Sequence, residues 1–257
     1  MGKTTIKRAI TLKSEQQLAL MREAGRIVAQ VLALTEKEAK PGVTTLQLDR
    51  MAEAHIRQVR AVPSFKGYYG FPATLCTSIN DEIVHGIPSA KRTLREGDLL
   101  KIDCGAIYQG WQGDAALTVV VGTPKNGATR LVESTRQALE AGIAAMRSGG
   151  HVSDIGQAIE QFAHGLGYEV VRKYCGHGIG RHLHEEPAVP NYGPAGEGPQ
   201  LRDGMVLCIE PMLNEGTWET KELNDGWTVK TADGRLSAHF EHTVAVTKDG
   251  PHILTLP

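Results

Sequence analysis

Leu94-Arg95-Glu96-Gly97-Asp98-Leu99-Leu100-Lys101-Ile102-Asp103, running on to Asp114, is the stretch on which the fold turns. It reads as a turn, an apolar strand, and an aspartate where the apolar run stops. Its weight comes from a second copy. Leu201-Arg202-Asp203-Gly204-Met205-Val206-Leu207-Cys208-Ile209-Glu210 repeats the plan: Leu, Arg, an acid, Gly, a mostly apolar run ending in Ile, then a carboxylate. Each copy leads to a further acid at a second β-rich run, Asp114 ahead of Leu117-Thr118-Val119-Val120-Val121 and Glu241 ahead of Thr243-Val244-Ala245-Val246. Four acids at matching ends of matching strands are costly to bury together unless a cation lies among them. The strands therefore read as the walls of a metal site.

Working outward, a two-residue turn at Gln109-Gly110 would set Asp103 and Asp114 opposite or one diagonal step apart, with Cβ atoms roughly 5–8 Å apart. Alone, Asp114 after Gly113 is a common turn residue; the second copy makes it a candidate ligand. Upstream, Ser14 with Gln17 offers a capping box for a helix ended by Lys40-Pro41-Gly42. Thr44 or Thr45 caps a second helix through Val59. Downstream, Gly122 to Gly127 reads as a joint, followed by helices from Thr129 to Met146 and from Ser153, as cap, to Gly165. Gly42/Leu48 and Gly149/Ile155 share one internal spacing and stand equally far before Asp103 and Glu210. One catalytic domain over residues 1–257, built as two pseudo-symmetric halves (about 12–122 and 123–257), is expected, and a site between them would take ligands from both.

The rest is set by smaller signals. Phe65 to Pro72 is an aromatic, glycine-rich stretch, either a core plug or an apolar specificity pocket. His85 follows an apolar pair, at a strand end suited to presenting an imidazole. Tyr174 to Pro187 carries His177, His182 and His184 among glycines, and Gly178 and Gly180 argue against a zinc-binding helix there. His55, His239 and His242 read as packing residues.

At 257 residues, 41% hydrophobic and net charge −1, the chain reads as an ordinary soluble globular protein with no bias toward nucleic acid or anionic membrane. The first residues, Met1 to Arg8, are basic but lack the apolar core of a secretory signal, and no run approaches the ~18 apolar residues of a membrane span. Cys76, Cys104, Cys175 and Cys208 show no C-x-x-C spacing and read as reduced, half-buried thiols, so the cytoplasm is the expected compartment.

Asp103, Asp114, His177, Glu210 and Glu241 make four carboxylates and one imidazole. That set suits Mn, Fe(II), Co or Zn and argues against Cu(I) or an iron–sulfur centre. Four negative charges exceed what one divalent ion needs but suit two ions sharing ligands ~3.5–4 Å apart, which can activate water and polarise a carbonyl. With no G-x-S-x-G motif, hydrolysis by water is expected.

These residues sit in ordered motifs: His85-Gly86-Ile87-Pro88 after Asn80; Ile102-Asp103 with Gly113-Asp114; Tyr174-Cys175-Gly176-His177-Gly178-Ile179-Gly180-Arg181; and His184-Glu185-Glu186-Pro187. Ile209-Glu210-Pro211-Met212, Asp225-Gly226-Trp227-Thr228-Val229 and Phe240-Glu241-His242-Thr243 complete the series. From about Leu12 to Leu256 the chain resembles the type I methionine aminopeptidases. The resemblance implies an α/β (α+β) pita-bread fold, two pseudo-symmetric halves with a curved antiparallel sheet covered by helices. Asp103 would hold one of two divalent ions and His177 with Glu210 the other, with Asp114 and Glu241 shared.

Glu210 would act as general base, His85 would contact the scissile nitrogen or leaving amine, and His184 would bind the substrate carbonyl. The free α-amine of the substrate would coordinate a metal. Phe65, Tyr68, Phe71, Cys76, Leu183 and Trp227 would form the methionine pocket. The family often has smaller or hydroxylated residues at Phe65 and Phe71, Phe at Leu183 and Gly at His182. The implied substrates are peptides and nascent chains with N-terminal methionine and a small second residue. A monomer is expected, and a transient ribosome contact is left open. The alternatives are an Xaa-Pro aminopeptidase or prolidase of the same fold, which usually carries a further N-terminal domain, and a non-catalytic binding module, which typically loses ligands.

Overall fold

Ser14 and Gln17 cap each other reciprocally and start α1 (Glu15–Glu38), whose buried stripe includes Met21, Ala24, Val28, Val31 and Leu32. Thr44 and Gln47 do the same for α2 (Thr45–Gln58). The strands β1 (Val62–Pro63), β2 (Leu75–Ile79), β3 (Glu82–Val84), β4 (Leu99–Tyr108) and β5 (Trp111–Val120) follow. Two helices come next, α3 (Ala128–Ala145) and α4 (Val152–Gly165). Then come β6 (Glu169–Val170), β7 (Gly176–Gly178), β8 (Glu185–Val189), β9 (Val206–Ile209) and β10 (Met212–Asn214). The chain closes with β11 (Thr220–Glu222), β12 (Val229–Thr231), β13 (Ser237–His239), β14 (Glu241–Thr247) and β15 (Gly250–Ile253). This computed structural model describes residues 9–124 and 127–257. The basic start Met1 to Arg8, and Lys125-Asn126 of the expected joint, lie outside them. Among the described residues no helix is long and apolar enough to cross a membrane.

The main sheet is antiparallel, in the order β1-β4-β5-β14-β9-β7-β8, with β2 also on β4 and β15 also on β14. Its curved body is covered by helices on one face. Gly113 of β5 and Gly25 of α1 show why α1 sits so close. A Cβ on Gly113 would lie 2.7 Å from the Gly25 nitrogen, and one on Gly25 would lie 2.2 Å from the Leu254 carbonyl oxygen. Each helix pair has its own apolar bed. Ile27, Val28, Leu48 and Ile56 meet Leu100 and Ile102, whereas Leu139, Ile143 and Ile155 meet Leu207, Ile209 and Val244.

The backbone bonds that seat the two sequence copies also match. Gly42 N–H donates to Leu94 O and Leu94 N–H to Val43 O; Gly149 N–H donates to Leu201 O and Leu201 N–H to Gly150 O. One cap differs from expectation. His151, not Ser153, precedes α4: Asp154 accepts the His151 N–H, while the Ser153 hydroxyl accepts the Glu197 N–H across the surface loop. The alternating run Tyr168 to Lys173 forms only the short β6, paired with Leu213 and Asn214 of β10, and Val171 beyond it donates its N–H to Met212 O.

Candidate metal centre

Register decides which side chains meet. Asp103 pairs with Ala116 and Asp114 with Gly105, so the two acids stand one diagonal step apart across a turn whose Gln109 and Gly110 have φ of 48° and 78°. Ala116 also pairs with Glu241, and Cys208 pairs with both Thr243 and His177. Opposed residues, and residues two apart, share a face. Asp103, Asp114, Glu241 and His177 thus project from one face, opposite to the face where Gly113 meets α1. Glu210 follows just past β9, where Pro211 ends the pairing.

The His177 Nε2 lies 3.6 Å from Glu210 Oε1 and 4.0 Å from Asp114 Oδ2. With Nδ1 2.9 Å from the Gly178 carbonyl and donating to it, Nε2 keeps its lone pair toward the acids, the tautomer a metal requires. Potential ligand atoms of Asp114, His177, Glu241 and Cys208 all lie within 4.8 Å of one another. Asp103 Oδ1, Asp114 Oδ1 and Glu241 Oε1 are buried without a hydrogen-bond partner.

Burial raises the Asp103 pKa to about 7. Asp114, Glu210 and Glu241 are pushed well above the carboxylate range, by burial first and then by one another's charge and that of Asp103. His177 is lowered to about 3 by burial, then by the nearby His184. Orphaned anionic oxygens around an imidazole lone pair fit divalent cations; without a counter-charge the acids cannot all ionise.

One cavity of ≈ 200 Å³ holds this cluster and every other nominated residue: Phe65, Tyr68, Phe71, Cys76, His85, Leu183, His184 and Trp227. Phe71 and Trp227 meet edge to face, with centroids 5.0 Å apart, to form the apolar end. The Tyr68 hydroxyl lies 2.8 Å from His184 Nδ1, and the His184 and His177 rings are 4.2 Å apart. His85, at φ 61°, stands edge-on to Tyr174, and burial lowers its pKa to about 4. Burial also lowers His184. Both shifts favour the neutral rings.

Three residues join the site that sequence reasoning left out. Tyr69 lines the cavity mouth. Cys208 belongs to the ligand-atom cluster, and Cys76, Cys104 and Cys208 are buried rather than half-buried. His239, read as packing, has Nε2 3.9 Å from Glu210 Oε2 and both ring nitrogens unpartnered. The Phe240 break separates its strand β13 from β14, so strand alternation alone does not carry it to Glu210. By contrast, His55 meets Gln30, and His242 meets Thr255.

The model of metallopeptidase family M24 matches residues 19–248. The chain is 51% identical to a methionine aminopeptidase of Clostridium acetobutylicum, over 96% of this chain and 99% of that one. It superposes on the crystal structure of methionine aminopeptidase from Thermotoga maritima with a TM-score of 0.95 at 41% identity, covering 97% of this chain and all of the other. A prolidase from Pyrococcus horikoshii OT3 shares the fold, with a TM-score of 0.77 at 24% identity; the match covers 95% of this chain and 63% of that one. With its curved pita-bread sheet, its buried acid cluster and this likeness over nearly its whole length, the chain belongs to metallopeptidase family M24 and, within it, to the methionine aminopeptidases.

Proposed function

We propose that the chain hydrolyses the peptide bond after an N-terminal methionine, preferring a small second residue, in peptides and newly made proteins. The observation that carries this is the single cavity, with an apolar end walled by Phe65, Phe71, Leu183 and Trp227 and a polar end of four acids and three imidazoles. Asp103 would hold one divalent ion, His177 and Glu210 the other, and Asp114 and Glu241 both; Co, Mn, Fe(II) or Zn suit these ligands. Bound there, such ions supply an acidified water, a polarised scissile carbonyl and a seat for the free α-amine.

The protein's own groups do the rest. Glu210 takes the proton from the attacking water and delivers it to the departing amine. With the Tyr68 hydroxyl donating to His184 Nδ1, His184 Nε2–H is free to donate to the carbonyl oxygen as its charge grows. His85 hydrogen-bonds the scissile nitrogen. Cys76 and Tyr68 complete the side-chain pocket. Four unpaired thiols suit a reducing compartment, the cytoplasm, and we expect a monomer.

Release of methionine from a Met-Ala peptide, blocked by chelator and restored by Mn(II) or Co(II), is the expected result. Cleavage of Xaa-Pro peptides instead would favour the prolidase reading, and binding without cleavage a non-catalytic one. The presence of all four acids and His177 in one cavity argues against the latter.

A further inference from the structure

We propose that Lys13, with Thr11 and Glu185, forms a strap that positions His184. The inference rests on the role given to His184 above. Lys13 lies just ahead of α1, yet its side chain is only 3% exposed, which lysine tolerates only when paired. Its Nζ donates to Glu185 Oε2 at 3.0 Å and to the Thr11 hydroxyl at 2.6 Å, and that hydroxyl donates to the same carboxylate oxygen at 2.8 Å. The second oxygen, Glu185 Oε1, accepts the His182 N–H at 3.1 Å. The Lys13 backbone is itself fixed, donating to Gly204 O at 2.7 Å. Gly180 is shaped around the pair: a Cβ there would lie 2.7 Å from both Glu185 Oε1 and Lys13 Cε.

The strap matters because of what it holds. Between the end of β7 at Gly178 and the start of β8 at Glu185 the chain has no regular structure, and this turn carries Leu183 and His184. Its front is pinned by Gln112 N–H donating to Gly180 O at 2.9 Å and by Arg181 stacked over Trp111 at 4.3 Å. Its rear is pinned at Glu185, the covalent neighbour of His184. A buried ion pair adds little net stability over apolar replacements, but breaking one partner leaves a stranded charge. What the pair supplies is fixed geometry, and the geometry it fixes is that of His184.

The test uses the full chain loaded with Mn(II) and a Met-Ala-Ser peptide. Lys13→Met, Glu185→Gln and Thr11→Val are made alone and in a His184→Ala background, with folding checked by circular dichroism. Lys13→Met and Glu185→Gln are expected to lower kcat about tenfold with KM within about twofold, and Thr11→Val to do so more mildly; in the His184→Ala background each costs less than about twofold. Hydrogen–deuterium exchange of the 180–186 turn rises in all three, while that of α1 does not.

Losses that are equally large with and without His184 would overturn the strap, as would folded variants with unchanged kcat and exchange. If Lys13→Met does not fold, the milder Thr11→Val decides by the same criteria. If His184→Ala itself leaves kcat intact, the role given to His184 fails. The exchange measurement then still decides whether the strap orders the turn.

Discussion

The two parts of the chain build the same cavity in different ways. The part up to Val121 contributes a regular hairpin, β4 and β5, of ten residues each around a two-residue turn. Two of its acids stand on that hairpin, and it supplies most of the aromatic wall. The part from Gly127 onward is broken: β9 has four residues and β14 seven, with Pro211 and Phe240 interrupting the pairing and β12 crossing over to pair with β3. From it come His177, His184, Glu210, Glu241 and His239. The first part keeps a regular ladder and supplies most of the binding wall. The second gives up ladder pairing to aim side chains. His85, Asp103 and Asp114, on the first part, stand with the chemical groups of the second.

That contrast can be broken outright. Asp103→Asn on the regular part and Glu210→Gln on the broken part are both expected to cut kcat/KM by about 10³-fold or more, because each removes a proposed ligand and Glu210 also the proposed base. Loss from one alone would show that a single part suffices. His184→Ala should lower kcat by about 10²-fold with KM little changed, read from steady-state kinetics on Met-Ala-Ser, since its contact grows in the transition state. Phe71→Ala should do the reverse, raising KM about tenfold with kcat retained. Were the two patterns exchanged, the division into wall and chemistry would be wrong.

The smallest effect concerns the metal-free protein. Asp114 has a pKa raised in the fold by burial and by Glu241 and Asp103, so in its ionised form it costs stability. That cost begins above the unfolded carboxylate pKa, grows until pH reaches the raised folded value, and is constant beyond it. Asp114→Asn removes it. The variant without metal should melt higher than the parent, by a margin that widens as pH rises from the ordinary carboxylate range toward the raised folded value, while saturating metal reverses the order. A margin that shrinks with pH would mean the acids are not crowded.

Much of this was legible because it depends on local rules. Gln109-Gly110 needs positive φ at both positions, which fixes the hairpin register and hence the diagonal placement of Asp103 and Asp114. The reciprocal caps at Ser14 and Thr44 start their helices where the pattern predicts. What escaped depends on long-range packing. His239 reaches Glu210 because two sheets meet at a break after its strand, and no periodicity records that. Ser153 stands inside α4, behind the cap at His151, and its hydroxyl accepts the Glu197 N–H of the following surface loop. Lys101 sits fully buried in an apolar strand, its Nζ donating to the Asn80 and Ser237 carbonyls, one from each part.

The central claim is that side chains from both parts share two divalent ions. Anomalous diffraction from crystals soaked in Mn(II) tests it directly. Two peaks are predicted, one touching Asp103 and the other His177 and Glu210, with Asp114 and Glu241 reaching both. A single ion in an active crystal, or ions held by one part alone, would contradict it.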